Sequence, residues 1–310
     1  MSLPFLQSYL GLSNSLQTAQ GGAAAPSATR GLFGGKASAA SNVIDYITIA
    51  TTGNAIDFGD LTVGRGYIAS CASSTRGLWG GGNLGGGVYV NVIDYVTIAT
   101  TGNATDFGDL TVSRAYFASC ASATRGLFAG GIASNNVIDY VTIATTGNAI
   151  DFGDLTVGRG SFGSCASDTR GLFGGGISST NSNVIDYVTI ATTGNATDFG
   201  DLTVTRAYLA GCASATRGVF GGGYISGARS NVIDYVTIAT TGNATDFGDI
   251  TVARNDHASC ASSTRGLWSG GSTGADSNVI DYITIATTGN AIDFGDLTVA
   301  RYGLAGCAGS

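Results

Sequence analysis

The chain offers little of the usual chemistry of catalysis. Its 310 residues include one histidine (His257), one lysine (Lys36), six cysteines and no glutamate. General acid–base catalysis draws mostly on His, Glu and Lys held within reach of one another. Here the one neighbouring pair is Asp256–His257, which could form a dyad or simply mark local surface variation. Cys71, Cys120, Cys165, Cys212, Cys260 and Cys307 stand 45–49 residues apart, with no CxxC and no Cys/His cluster. That spacing argues against zinc, and equivalent positions in successive units read as small buried hydrophobes and not as disulfides. Asp57 and Asp60 in DFGD hint at calcium but lack a dense oxygen set and a terminal Glu, so hydrogen-bonded Asx turns are expected there. The GGG runs lack the Gly-Lys-Ser/Thr of a phosphate loop and lead into no helix. No catalytic residue, metal site or cofactor is assigned.

The residues that do recur belong to a repeat. The stretch NVIDYVTIATTGNATDFGDLTV, with small changes, begins at Asn42, Asn91, Asn136, Asn183, Asn231 and Asn278, at steps of 49, 45, 47, 48 and 47 residues. A period of this size signals a propeller, solenoid or array. Of the 14 basic residues only Lys36 and Arg229 fall outside the repeat, and of the 21 aspartates only Asp168, Asp256 and Asp276 do. Charge is therefore chiefly a scaffold property. A net charge of −7 with no basic run argues against phosphate-directed nucleic-acid binding. No apolar run reaches the roughly 18–20 residues of a membrane span.

Each unit reads as four short strands. TRGLFGG is a short apolar run ending in glycines. NVIDYVTIAT is apolar on both alternating faces, as in a sheet covered on both sides. TTGNA predicts a tight hairpin, and ATDFGDLTV a short, irregular outer strand. An arginine then leads into small residues such as GYIASCAS, which suit a crowded axis. Four strands times six predicts an all-β, six-bladed propeller of antiparallel blades. The blades are expected at about 29–62 with 301–310, then 65–111, 114–156, 159–203, 206–252 and 254–298. The C-terminal inner strand would pair with the first blade and close the ring. The conserved-looking charges need partners: Asp45, Asp94, Asp139, Asp186, Asp234 and Asp281 fall in an apolar strand. The arginines of the TRG strand (Arg30, Arg76, Arg125, Arg170, Arg217, Arg265) are expected to pair with these or with the DFGD aspartates.

The Gly-Gly doublet after an aromatic (Phe33-Gly34-Gly35), the later Tyr46 and Arg65 before the inner strand resemble the Kelch repeat over about residues 27–310. Phe58 stands where Kelch repeats carry tryptophan. The wording NVIDY…TTGNATDFGDLTV…TRGxFGGG is also similar to repeats in virion structural or tail-associated proteins of tailed bacteriophages, marine ones in particular. The first resemblance implies fold. The second implies a setting: a virion, or alternatively an extracellular location.

Function is expected where copies differ. The loops after the GGG strand and the residues after the inner-strand arginine emerge on one face of an up-and-down blade. They bring Lys36, Tyr67, Tyr89, Tyr116, Tyr208, Tyr224, Arg229, Asp256, His257 and Tyr302 to one rim, suited to a protein or glycan on a host surface; neutral loop variation is the plainer account. Residues 1–26 carry no charged side chain. Their apolar stripe, Leu3, Phe5, Leu6, Tyr9 and Leu10, is expected to anchor the propeller (residues 27–310) to other structural proteins of a particle. These features point to a non-enzymatic structural protein, tail- or fibre-associated, in assembly or host attachment. A carbohydrate-binding propeller or a head-to-tail filament subunit is the alternative. Deleting residues 1–26 is expected to leave the propeller folded and abolish incorporation, read by assembly of particles with the truncated chain.

Overall fold

The computed structural model describes residues 29–36, 41–132 and 135–309. These form six four-stranded antiparallel blades arranged as a propeller. The first blade takes its inner strand, Ala305–Ala308, from the far end of the chain, followed outward by Arg30–Lys36, Ser41–Thr48 and Ile56–Asp60. Leu32 faces Cys307 and Phe33 faces Gly306 in that closing pair. The other blades run inner to outer in chain order; the second, for example, is Ala69–Ala72, Arg76–Asn83, Tyr89–Thr97 and Thr105–Asp109. The fifth carries an additional small hairpin, Tyr224–Ile225 with Ala228–Arg229.

The apolar pattern explains the ring. Both faces of the NVIDY strand are covered, so each blade must pack on two neighbours. Six buried clusters follow among the described residues, each shared by two adjacent blades. One joins Phe33, Ile47 and Ile49 of the first blade to Leu267, Phe294 and Leu297 of the sixth, so no gap is left in the circle. The cysteines are buried and unbridged. Each thiol fills the place a side chain would take at the TRG glycine of the next blade: a Cβ at Gly218 would come within 2.6 Å of Cys165 Sγ.

The buried aspartates are paired, but with different arginines from those expected. Asp94 lies 2.8 Å from Arg65, an inner-strand arginine, and both side chains are fully buried. Its carboxylate also accepts from the Thr62 backbone N–H at 3.1 Å and the Thr62 hydroxyl at 2.6 Å. Arg65 in turn donates to the carbonyls of Gly81 and Trp79. Thr62 and Arg65 both lie on the segment crossing from one blade to the next, so the carboxylate clamps that crossing. The pairing recurs as Arg114–Asp139, Arg159–Asp186, Arg206–Asp234, Arg254–Asp281 and Arg301–Asp45. The TRG arginines instead lie over the tyrosine of their own blade, as Arg170 does over Tyr187 at 4.6 Å. They donate to carbonyls of the following blade, Arg170 to Ile238. That strand holds them near the opposite end of the blade from the crossing segment, where the carboxylates are out of reach.

TTGNA also differs from expectation. The connection from Thr48 to Ile56 is seven residues long, and Asn54 is not in the left-handed region. It reaches across to the neighbouring blade. Gly102 and Ala104 donate to the carbonyls of Phe58 and Asp60, and Asn103 Oδ1 accepts from the Asp60 N–H at 3.1 Å. DFGD is correspondingly not an Asx turn: it forms the outer strand, with Asp57 exposed. Gly59 is required there, because its φ is +147° and a Cβ would strike the Gly102 carbonyl. The loop of one blade thus covers the open edge of the preceding blade.

Replacing Asp186 with Ala leaves Arg159 buried without its counter-charge, which typically costs about 3–5 kcal/mol. Denaturant unfolding is expected to show a loss of that order, whereas Asp168→Ala, at an exposed site, should stay within about 0.5 kcal/mol.

Candidate functional site

The crossing segments turn toward the axis immediately after the buried arginine, and there the backbone does something unusual. Tyr67, Tyr116, Ser161, Tyr208 and Asp256 have φ between 53° and 60°, and Gly303, at the sixth equivalent position, has φ 66°. Left-handed backbone is uncommon outside glycine and costs energy. Its stabilisation is visible. Each of these residues donates its N–H to the carbonyl of its counterpart in the preceding blade: Tyr67 to Gly303, Tyr116 to Tyr67, Ser161 to Tyr116, Tyr208 to Ser161, Asp256 to Tyr208 and Gly303 to Asp256. All six distances lie between 2.6 and 3.0 Å, and they close a circle of main-chain hydrogen bonds around the axis.

Side chains of that ring form a cup at the mouth of an axial cavity of about 130 Å³: Tyr67, Tyr116, Ser161, Tyr208 and Asp256 stand at the mouth, with no side chain at Gly303, and small inner-strand residues such as Ser70, Ser119, Ser164 and Ser259 line the rest. The Tyr67 and Tyr116 rings stack at 3.9 Å, and Tyr302 meets Tyr67 edge-on at 6.1 Å. A second recess, about 250 Å³, opens beside Ser161 and is lined by Ile132, Ile177 and Ser178 as well as Tyr116 and Tyr208.

The cup is electrostatically lopsided. Burial raises the Asp256 carboxyl pKa to about 7, against the opposing pull of a hydrogen bond from Asn255 and the charge of Arg229. Asn255 Nδ2 donates to the carboxylate at 2.6 Å. No Lys, Arg or His among the described residues lies within ion-pair distance of it. Burial, and then Asp256, push the Tyr67 hydroxyl well above its usual range. The Tyr116 hydroxyl is raised as well, mainly by burial.

Of the residues expected at one rim, Tyr67, Tyr116, Tyr208 and Asp256 come together in the cup, and Tyr302 packs behind Tyr67. Tyr89 is half-buried on the extended hairpin of the second blade, opposite Asn83. Tyr224 stands on the small hairpin of the fifth, where its carbonyl accepts from Asn181. Arg229 is exposed and donates to Asn255 Oδ1 and the Ser272 carbonyl. Lys36 is tied to Asp276 at 3.0 Å, bridging the first and sixth blades. The anchor residues Leu3, Phe5, Leu6, Tyr9 and Leu10 lie outside the described residues.

His257 is a correction. It is buried, not on the rim, because its column (Ile68, Phe117, Phe162, Leu209, Leu304) points between blades. Its Nε2 faces the Gly221 carbonyl at 3.1 Å, so that nitrogen carries the proton, and its Nδ1 has no partner. It makes no bond to Asp256, so the pair is not a dyad. Ser161 and Gly303 were the residues that sequence reasoning passed over. A glycine, an aspartate and a serine in one repeat column with three tyrosines was the available signal of a positive φ.

No family model matches the chain, and no curated protein matches it either. The fold itself places it among six-bladed β-propellers.

Burial, then the charge of Arg254, lower the His257 pKa to about 3. The unfolded chain, with an ordinary value near 6.5, therefore binds a proton that the folded chain refuses, and stability falls as pH drops from about 6.5 toward 3. His257→Leu, the residue used at Leu209 and Leu304, removes this pH dependence. The stability lost between pH 7 and pH 5 is expected to shrink by about 2 kcal/mol in the variant, read by urea unfolding at both values.

Proposed function

We propose that this chain is a non-enzymatic recognition propeller, a virion structural protein of a tail or fibre that serves attachment to a host surface. The observation that carries this reading is the axial ring. The backbone repeats six times, yet its side chains are three tyrosines, a serine, an aspartate and a glycine, five of them at a conformational cost. Strain of this kind concentrates at functional positions. Rigid aromatics with small polar neighbours make adaptable contact surfaces. The charges of the repeat are spent on the scaffold, and the Asp256–His257 pair is split between cup and core, which supports binding over catalysis.

The setting rests on the wording of the repeat, which resembles phage virion proteins, and the Gly-Gly, Tyr46 and Arg65 pattern resembles Kelch blades. In this reading residues 1–26 join the propeller to other structural proteins of the particle, and the cup faces outward. An extracellular lectin-like adhesin is the second reading, favoured by Tyr, Ser, Asn and Asp side chains gathered at one mouth.

The test replaces Tyr67, Tyr116 and Tyr208 together with Ser, the residue the fourth blade already tolerates at this position. The variant is expected to fold and to bind host cells at least tenfold more weakly in a fluorescence binding assay. Undiminished attachment counts against the reading, and a glycan-array signal lost in the same variant favours the adhesin.

A further inference from the structure

The cup combines two features that rarely coexist without a ligand. Three tyrosines stand at its mouth, and its one ionisable acid, Asp256, is half-buried yet has no cationic partner within 4 Å among the described residues. The buried aspartates of the blades make the contrast plain. All six are held by an arginine at 2.7–2.9 Å. Asp256 has only the amide of Asn255, while the guanidinium of nearby Arg229 is directed to Asn255 Oδ1 and the Ser272 carbonyl. Partial burial of a carboxylate without a counter-charge is unfavourable.

We propose that the axial cup binds a small organic ammonium group, with Asp256 as its counter-charge and Tyr67, Tyr116 and Tyr208 as its aromatic walls. The inference rests on the reading of the cup as the recognition site. Tyrosine faces attract cations through the ring quadrupole, more strongly where water is excluded. Size decides against a sugar inside the cup. A cavity of about 150 Å³ takes a benzene-sized guest of roughly six heavy atoms, and this one measures about 130 Å³. A trimethylammonium head has about that size, whereas a pyranose with its hydroxyls is roughly twice as large. The recess beside Ser161, with Ile132 and Ile177 on its walls, gives the remainder of such a ligand an apolar way out over the third and fourth blades.

The experiment is calorimetric titration of the full chain with tetramethylammonium chloride at pH 8, with sodium chloride and glucose as parallel titrants. Saturable binding of tetramethylammonium alone is expected. It should weaken at least tenfold in Asp256→Asn, which suits the left-handed backbone and removes only the charge, and in Tyr116→Ser. It should also weaken at pH 5. The groups around Asp256 are Tyr67, Tyr116 and Tyr208 from neighbouring crossings, Arg229 from the small hairpin, and His257, Arg206 and Arg254 beneath. Of these His257 stays neutral and the raised Tyr67 and Tyr116 hydroxyls keep their protons over this range, so the change follows Asp256. Absence of tetramethylammonium binding by the parent chain, equal affinity in a folded Asp256→Asn, or binding of glucose in its place overturns the proposal. Loss of host attachment is read separately: a chain that binds tetramethylammonium but not cells retains the ligand and refutes the attachment role.

Discussion

The crossing between blades depends on one buried carboxylate. In every blade the aspartate of the NVIDY strand accepts from a threonine and an arginine of the incoming segment, and the arginine also donates to the carbonyl of the aromatic residue on the second strand. Buried ion pairs of this kind add little stability over an apolar replacement, because two ions lose their water. Their value lies in geometry. A planar guanidinium with fixed donor directions can hold that carboxylate and that carbonyl together only in a narrow range of orientations. The segment that follows is thereby delivered to the axis at the same angle six times. The left-handed turn, the circle of main-chain hydrogen bonds and the cup all come after that arginine in the chain and inherit its placement.

Much of this fold was legible in the sequence, for a physical reason. A repeated unit shows its apolar faces six times over, so the pattern of the NVIDY strand, covered on both sides, could mean only packing between neighbours. The small residues of the inner strand and the split first blade were legible in the same way. The choice of arginine was not. Arg30 and Arg65 recur equally often, both precede strands, and composition says nothing about which end of a blade each occupies. The TTGNA loop misled for a related reason. Gly-Asn satisfies the local rule for a tight hairpin, but its glycine and asparagine are used across the blade boundary, a contact that local propensity cannot register.

The candidate site was legible in part. Variation among copies drew attention to Tyr67, Tyr116, Tyr208 and Asp256, and these do meet at the axis. His257 was grouped with them because it follows Asp256 directly. One residue along an extended chain is enough to exchange the solvent side for the core, and the apolar column above and below it was the better guide. The left-handed backbone of the ring was hidden because tyrosine is a poor advertisement for positive φ. Only the glycine, the serine and the aspartate sharing its repeat column hinted at it.

The loop that lies over each outer strand has a bearing on life in company. An outer strand with bare N–H and C=O groups is a template on which another chain can add itself, the first step toward cross-β stacking. Here the neighbour's Gly-Asn-Ala has already occupied that place, six times around the perimeter. Copies of such a molecule can stand shoulder to shoulder at high local density without offering one another a seam to zip.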